Sequence, residues 1–230
     1  MSLITKEVLN DLKNREKVSI SSLQRVHSIG FNKARILFDQ LVSIALITPC
    51  GGVNKSKVQE KLGETPTEET KIIFLDVDGV LNCNSTKDLC GYYIGIEDHK
   101  VDLLKKIVDA TGAKIVLVSS WKECWYKGAL LKERQDDSAD YLDAKLAKAS
   151  LMIFDKTEDR GFNRGDGIKE YIRRLEWEGV KVGSFVILDD EMFDYMEMKL
   201  TKNLIQTSYT GGGLKEKHVE HAIEILGGKS

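Results

Sequence analysis

The chain has 230 residues, of which 42% are hydrophobic and 30% charged, and its formal net charge is −2. That is enough chain for one medium and one small domain, and the composition excludes a collagen-like or low-complexity protein. No apolar run approaches the ~20 residues of a membrane span, residues 1–17 lack a basic-then-apolar leader, and Cys50, Cys83, Cys90 and Cys124 show no CxxC spacing, so the expectation is a cytoplasmic protein with free thiols, no membrane partner and no zinc site.

The charge is unevenly placed. Residues 1–63 hold ten Lys+Arg against five Asp+Glu, leaving 24 against 31 for the remainder. A basic piece joined to an acidic one points to a polyanionic partner for the former. Residues 5–14 have helical periodicity with Val8, Leu9 and Leu12 inward. Ser21 or Ser22 caps a second predicted helix over 22–29, Gly30 makes a turn, and Asn32 caps a third over 33–46. A short strand at 47–48 and the Gly51-Gly52 turn lead into Asn54-Lys55-Ser56-Lys57-Val58. Three helices followed by a β-wing are the element order of a winged helix-turn-helix.

The stretch VSISSLQRVHSIGFNKARILFDQLVSIALITP is similar to the C-terminal winged-helix (gamma) domain of FtsK/SpoIIIE-type DNA translocases, over about residues 4–60. The shared features are SISxLQR, IGFNKA and a helix running into ITP. The resemblance implies that the helix after the Gly-aromatic-Asn turn enters the DNA major groove. Arg25, Asn32, Lys33 and Arg35 are then candidate DNA contacts, with Lys55 and Lys57 on the wing touching phosphate. The family commonly has Arg at the position of Ile36, whereas here the basic residue is Arg35, about 100° round the helix. Protein contact or dimerisation is the alternative role for such a module.

Residues 63–70, GETPTEET, have linker chemistry: a Gly, one of only two prolines, several acids and no apolar periodicity. The expected domains are therefore 1–62 and 71–230. After the linker, predicted strands at 72–76, 114–118, 151–154, 184–188 and 203–206 alternate with predicted helices at 99–110, 128–149, 165–178 and 215–226. Such alternation describes a doubly wound parallel sheet of the α/β class, whose ligand sits beyond the carboxyl ends of the strands.

At those ends stand Asp76-Val77-Asp78-Gly79, then Ser119-Ser120-Trp121-Lys122, then Arg164 before a helix, then Asp189-Asp190 with Asp194 four residues on. Clustered carboxylates repel one another unless a cation neutralises them, and hard oxygen donors without His or Cys call for Mg²⁺. The ordered set DxDG, strand-end Ser, basic residue and DD resembles the haloacid dehalogenase (HAD) superfamily over residues 71–228. The resemblance implies a Rossmann-like core in which Asp76 is the nucleophile that forms an aspartyl-phosphate and Asp78 the general acid/base. It further implies that Ser119 holds a phosphoryl oxygen and that Asp76, Asp78, Asp189 and Asp190 hold Mg²⁺. Arg164 fits the family's basic position at a helix start. Lys169 has the commoner residue type but lies a turn or more inside the helix.

The intervals Asp76–Ser119 and Ser119–Arg164 span 43 and 45 positions, too short for a large cap, although 122–150 could hold a modest lid. An open site favours a large phosphorylated substrate. FLDVDGVLN followed by VLVSSWK looks like the small capless branch that includes polynucleotide-end phosphatases and the HAD modules of RNA-repair proteins. Ser119, Ser120 and Lys122 are then candidate phosphate contacts, with Lys122 where the branch often has Arg. Trp121 and Trp125 either stack on a base or pack the loop against the core. The expected function is a Mg²⁺-dependent phosphomonoester hydrolase acting on nucleic-acid ends. A nucleotide or metabolite phosphatase, or a DNA-binding regulator with a ligand-sensing HAD domain, are the alternatives.

Overall fold

In the computed structural model, residues 3–63, 69–128, 135–158 and 163–227 are described. The chain divides into two compact units, residues 1–69 with 172–181 and residues 70–171 with 182–230. The core of the expected linker, residues 64–68, and residues 129–134 of the possible lid lie outside the described residues.

The first unit opens with α1 (Lys6–Lys13), capped by the Thr5 hydroxyl and burying Val8, Leu9 and Leu12 as its periodicity requires. Helix α2 (Ile20–His27) starts two residues before the expected position, because Ser19 and Ser22 form a reciprocal capping box. Ser22 is thus the inner partner of the cap. Helix α3 (Phe31–Ser43) also starts early: Gly30 is its cap residue and Asn32 lies inside the first turn. Lys17 and Gly52, and Ile47 and Val53, form antiparallel bridges around the turn at 48–52. Gly51 sits at φ 81 with its carbonyl accepting from Val18 N at 2.9 Å, and a side chain there would collide with the Val18 carbonyl. The segment expected to carry wing lysines is instead a fourth helix, α4 (Lys55–Leu62), capped by the Asn54 side chain. Leu12, Leu23, Leu37, Leu41, Ile47, Val53 and Val58 close one aliphatic core.

In the second unit, β1 (Glu69–Leu75), β4 (Lys114–Leu117), β5 (Ile153–Lys156), β6 (Lys181–Asp189) and β7 (Leu204–Gln206) form a five-stranded sheet in the order β5-β4-β1-β6-β7. The recorded β1–β4, β4–β5 and β6–β7 pairs are parallel. Helices α5 (Asp98–Thr111), α6 (Asp137–Lys148), the first part of α7 (Arg164–Trp177, whose residues from 172 on belong to the first unit) and α8 (Glu216–Ile225) provide the helical layers. Ile73, Leu75, Ile115, Leu117, Val186 and Leu188 join residues of α5, α6 and α8 in one core. Phe74, of opposite parity on β1, points the other way and meets Tyr171 of α7 edge-on at 5.8 Å and Phe185 at 5.7 Å. This period-two split with both faces covered is the doubly wound α/β arrangement the sequence predicts. A feature absent from the sequence reading is the hairpin β2 (Leu89–Cys90) and β3 (Tyr93–Ile94), inserted between β1 and α5.

The parallel ladder continues one residue past several strands. Asp76 N donates to Leu188 O (2.9 Å), Val118 N to Leu75 O (3.0 Å), Thr157 N to Leu117 O (3.1 Å) and Thr207 N to Asp189 O (2.9 Å). Asp76, Ser119, Thr157, Asp189 and Thr207 are thereby aligned along the carboxyl edge of one sheet.

Candidate active site

Asp76, at the end of the central strand, is 4% exposed, and Asp189, at the end of the adjacent strand, is fully buried. Two carboxylates at this depth need a counter-charge. Arg164 supplies it: one guanidinium nitrogen lies 3.1 Å from Asp76 Oδ2 and 2.7 Å from Asp189 Oδ2. Arg164 is the first residue of α7, and the Asp194 carboxylate caps that helix by accepting from Gly165 N (2.7 Å) and Asp166 N (3.0 Å). Phe193 lies 4.1 Å beneath the guanidinium carbon. Asp194, counted from sequence among the converging carboxylates, is therefore committed to the helix that carries Arg164. Tyr195 OH donates to Asp189 Oδ2 at 2.7 Å, so that oxygen accepts from both Tyr195 and Arg164.

Burial, followed by the charge of Asp189, pushes Asp76 up from 3.8 to about 6, against the pull of Arg164 and a hydrogen bond from Ser119. Burial likewise raises Asp189, and burial and then the charge of Asp76 raise Asp190. Each of Asp76, Asp189 and Asp190 offers a carboxylate oxygen within 4.8 Å of the other two. Three hard oxygen donors whose charge one arginine does not balance fit a hard divalent cation.

Asp78 sits in a different setting. Asn82 Nδ2 donates to its Oδ1 (2.8 Å) and Trp121 Nε1 to its Oδ2 (3.0 Å). Asn82 Oδ1 in turn accepts from Gly79 N (3.0 Å), and Thr207 Oγ1 donates to Gly79 O (2.7 Å). Gly79 has φ 72, and a Cβ there would collide with the Asp190 carboxylate. Both facts restrict the position to glycine. Asp76, Asp78, Arg164 and Asp190 line a pocket of about 300 Å³, with Glu191, Phe193 and Tyr209 completing the wall.

Of the residues singled out from sequence, the structure brings together Asp76, Asp78, Ser119, Arg164, Asp189 and Asp190. Ser120 lines a neighbouring cleft. Lys122 is buried, with its ammonium 3.1 Å from Thr157 Oγ1 at the end of β5. Arg164, and not Lys169 five residues further along α7, makes the ion pairs to Asp76 and Asp189. Trp121 is neither a free stacking ring nor simple filler, since its indole N–H holds Asp78. Trp125 is buried and donates to Asp143 Oδ1 at 3.0 Å, a packing role. Sequence reasoning missed Asn82, Tyr195 and Thr207. Asn82 left a signal, a polar residue directly after the apolar pair Val80-Leu81, and it is fully buried.

In the first unit, Arg25, Asn32, Lys33 and Arg35 are exposed, as is Lys57 on α4. Lys55 is committed internally, donating to Lys13 O at 2.7 Å and pairing with Glu16 at 3.5 Å. It leaves the set of phosphate-contact candidates because its amine already has these partners.

A parallel α/β sheet that presents DxDG, a strand-end serine, a helix-borne arginine and a second acidic pair on one edge defines a hydrolase core of the HAD superfamily. Residues 72–219 match the family described as the HAD domain in Swiss Army Knife RNA repair proteins, and the chain belongs to this family. Comparison with curated proteins found no match. Among the described residues no helix is long and apolar enough to cross a membrane.

Proposed function

We propose that the protein hydrolyses phosphomonoesters at nucleic-acid ends through an aspartyl-phosphate, with Mg²⁺ held by Asp76, Asp189, Asp190 and the Asp78 backbone carbonyl. The observation that carries this reading is the divergence of two carboxylates two residues apart. Asp76 is buried against Arg164, while Asp78 stands at the pocket wall between Asn82 and Trp121. An Asp76 oxygen attacks phosphorus in line and forms a P–O bond as the bond to the leaving oxygen breaks. Asp78 delivers its proton to that leaving oxygen. It then takes a proton from water, whose oxygen attacks phosphorus, and the break from Asp76 releases inorganic phosphate, leaving Asp76 a carboxylate and Asp78 again the protonated acid. Arg164 orients Asp76 and faces the phosphoryl oxygens with a charge that its neighbours keep fixed, and Ser119 is the further donor to a phosphoryl oxygen. The carboxylates of Asp76, Asp189 and Asp190 would hold Mg²⁺, which when bound would supply positive charge to offset that of the phosphoryl group.

Nucleic-acid ends are favoured for two reasons. The family is described by its place in RNA repair proteins. Among the described residues, the interval from Asp76 to Ser119 holds only the β2–β3 hairpin and α5 between β1 and β4, and that from Ser119 to Arg164 only a 3-10 turn (Ser120–Glu123), α6 and β5. A site without a large cap suits a phosphate that is part of a large molecule. The first unit is proposed as a DNA-binding winged helix, with Arg25, Asn32, Lys33 and Arg35 toward the duplex. Its support is the exposure of Asn32, Lys33 and Arg35 on the first turns of α3.

The test is Mg²⁺-dependent phosphate release from 3′- and 5′-phosphorylated DNA and RNA oligonucleotides beside mononucleotides. Release from oligonucleotide ends is expected, lost in Asp76→Asn by about 10⁴-fold or more. Release from mononucleotides alone would replace the end-processing reading with a metabolite phosphatase. Failure of the full chain to bind duplex DNA near ~50 mM salt would refute the winged-helix proposal.

A further inference from the structure

A cleft of about 530 Å³ adjoins the phosphoryl pocket, and the two share Asp78 and Tyr209 as lining residues. The shared aspartate fixes a direction. Asp78 protonates the leaving oxygen, so the group carried on that oxygen extends past Asp78, away from the Asp76–Arg164 pair and into this cleft. Among the described residues its walls include four aromatic rings, Tyr92, Tyr93, Trp121 and Tyr209, and no Lys or Arg. Aromatic walls of this kind match a flat, uncharged ring system.

The hairpin that supplies Tyr92 and Tyr93 is fixed at its root and bare at its tip. Buried Lys145 pairs with Asp88 and, at 2.7 Å, with Asp98. Gly95 N donates to Asp88 O (2.7 Å) and Ile96 N to Tyr141 OH (2.9 Å). Gly95 has no room for a side chain, with the Tyr141 hydroxyl and the backbone at 88–89 against it. At the tip Gly91 takes φ 60 in a two-residue turn, and Tyr92 is wholly exposed with Tyr93 at 76%. Packing within the unit does not account for two bare tyrosines on a braced ribbon beside a catalytic carboxylate.

We propose that this cleft is a nucleobase-stacking subsite, in which Tyr92 and Tyr93 bind the base of the terminal nucleotide whose phosphate is removed. The inference rests on the phosphatase reading above and names how its substrate is recognised. Stacking accepts every base, so the subsite confers a requirement for a base without a preference among the four.

The experiment compares full-length protein with Mg²⁺ on two oligonucleotides that differ only at the phosphorylated terminal nucleotide, one with its base and one abasic. The base-bearing end is expected to have the lower KM, by about tenfold. In the double variant Tyr92→Ala/Tyr93→Ala that preference falls toward one, whereas Tyr92→Phe/Tyr93→Phe keeps it because the ring and not the hydroxyl does the stacking. Both side chains are exposed, so neither variant threatens the fold. Equal KM values for the two ends in the wild type, or a preference that survives the double alanine change, would overturn the subsite and leave the phosphatase standing. No turnover of either oligonucleotide would remove the nucleic-acid-end reading and the subsite with it.

Discussion

The floor and the rim of the site treat the same chemical group in opposite ways. On the floor, Asp76 and Asp189 are buried, share one arginine nitrogen and are both held above the usual carboxylate range. At the rim, Asp78 receives two neutral N–H donors, from Asn82 and Trp121, and faces the pocket. The floor holds buried negative charge that a bound divalent cation would offset. In the proposed mechanism the rim supplies the proton carrier. Asp76 and Asp78 lie two positions apart, a spacing that would put both side chains on one face of a continued strand. The chain instead leaves β1 after Leu75, and Asp78 stands in a turn followed by Gly79 at φ 72.

Removing the rim carboxylate is the largest way to break this contrast. Asp78→Asn keeps the shape and one accepting oxygen, turns its amide N–H2 toward the donor of Asn82 or Trp121, and cannot cycle a proton. A loss of ~10²–10⁴-fold in kcat is expected for alkyl and nucleotide phosphates, about 3–5 kcal/mol. The loss should be much smaller for p-nitrophenyl phosphate, whose leaving group needs no acid. Equal losses on both substrates would take the proton-carrier role away from Asp78.

The floor is tested by stability. Asp76 normally ionises at 3.8 but in the fold only at about 6. Below about pH 4 it is neutral in the folded and unfolded chains alike. Between these values the unfolded chain releases a proton that the folded chain retains, so this group's contribution falls as pH rises and stays low above about pH 6. Asp76→Asn in metal-free protein is therefore expected to be more stable than wild type at pH 7.5, by on the order of 1–3 kcal/mol, with the gain vanishing near pH 4. Thermal melts with a chelator present would show it. An equal or lower melting temperature at pH 7.5 would mean that Arg164 fully offsets the buried charge.

The smallest effect sharpens the rim. Trp121→Phe keeps the ring and removes the donor to Asp78. A fall of about fivefold in kcat is expected, ~1 kcal/mol, with KM on an abasic substrate little changed. A change confined to KM would mean that the indole contacts substrate and does not position Asp78.

Much of this was legible beforehand because it depends on local patterns. The apolar run before Asp76 could only be a buried strand, and a DxDG at its end had to lie on the ligand edge of a parallel sheet. Arg164 was readable from its place at a helix start. Lys55 was not, since the cap formed by Asn54 and the internal partners Lys13 and Glu16 turn a candidate phosphate contact into a structural lysine. Asp194 failed the same way: four residues from a catalytic pair, it faces the first turn of α7.

By itself the sequence determined the alternation of strands and helices, the identity of the carboxylates at the strand ends and the hydrolase family they resemble, because these follow from periodicity and motif order along one chain. Only the tertiary structure decided that Trp121 and Asn82 hold Asp78, that Tyr195 and Asp194 order the floor around Asp189 and Arg164, and that two tyrosines from a short hairpin stand beside the leaving-group side of the pocket. Those relations join residues far apart in the chain, as Asp78 and Trp121 are at 43 positions. Hydrogen bonds and cavities of that kind depend on which strand ends the sheet order places side by side, and no local pattern encodes it.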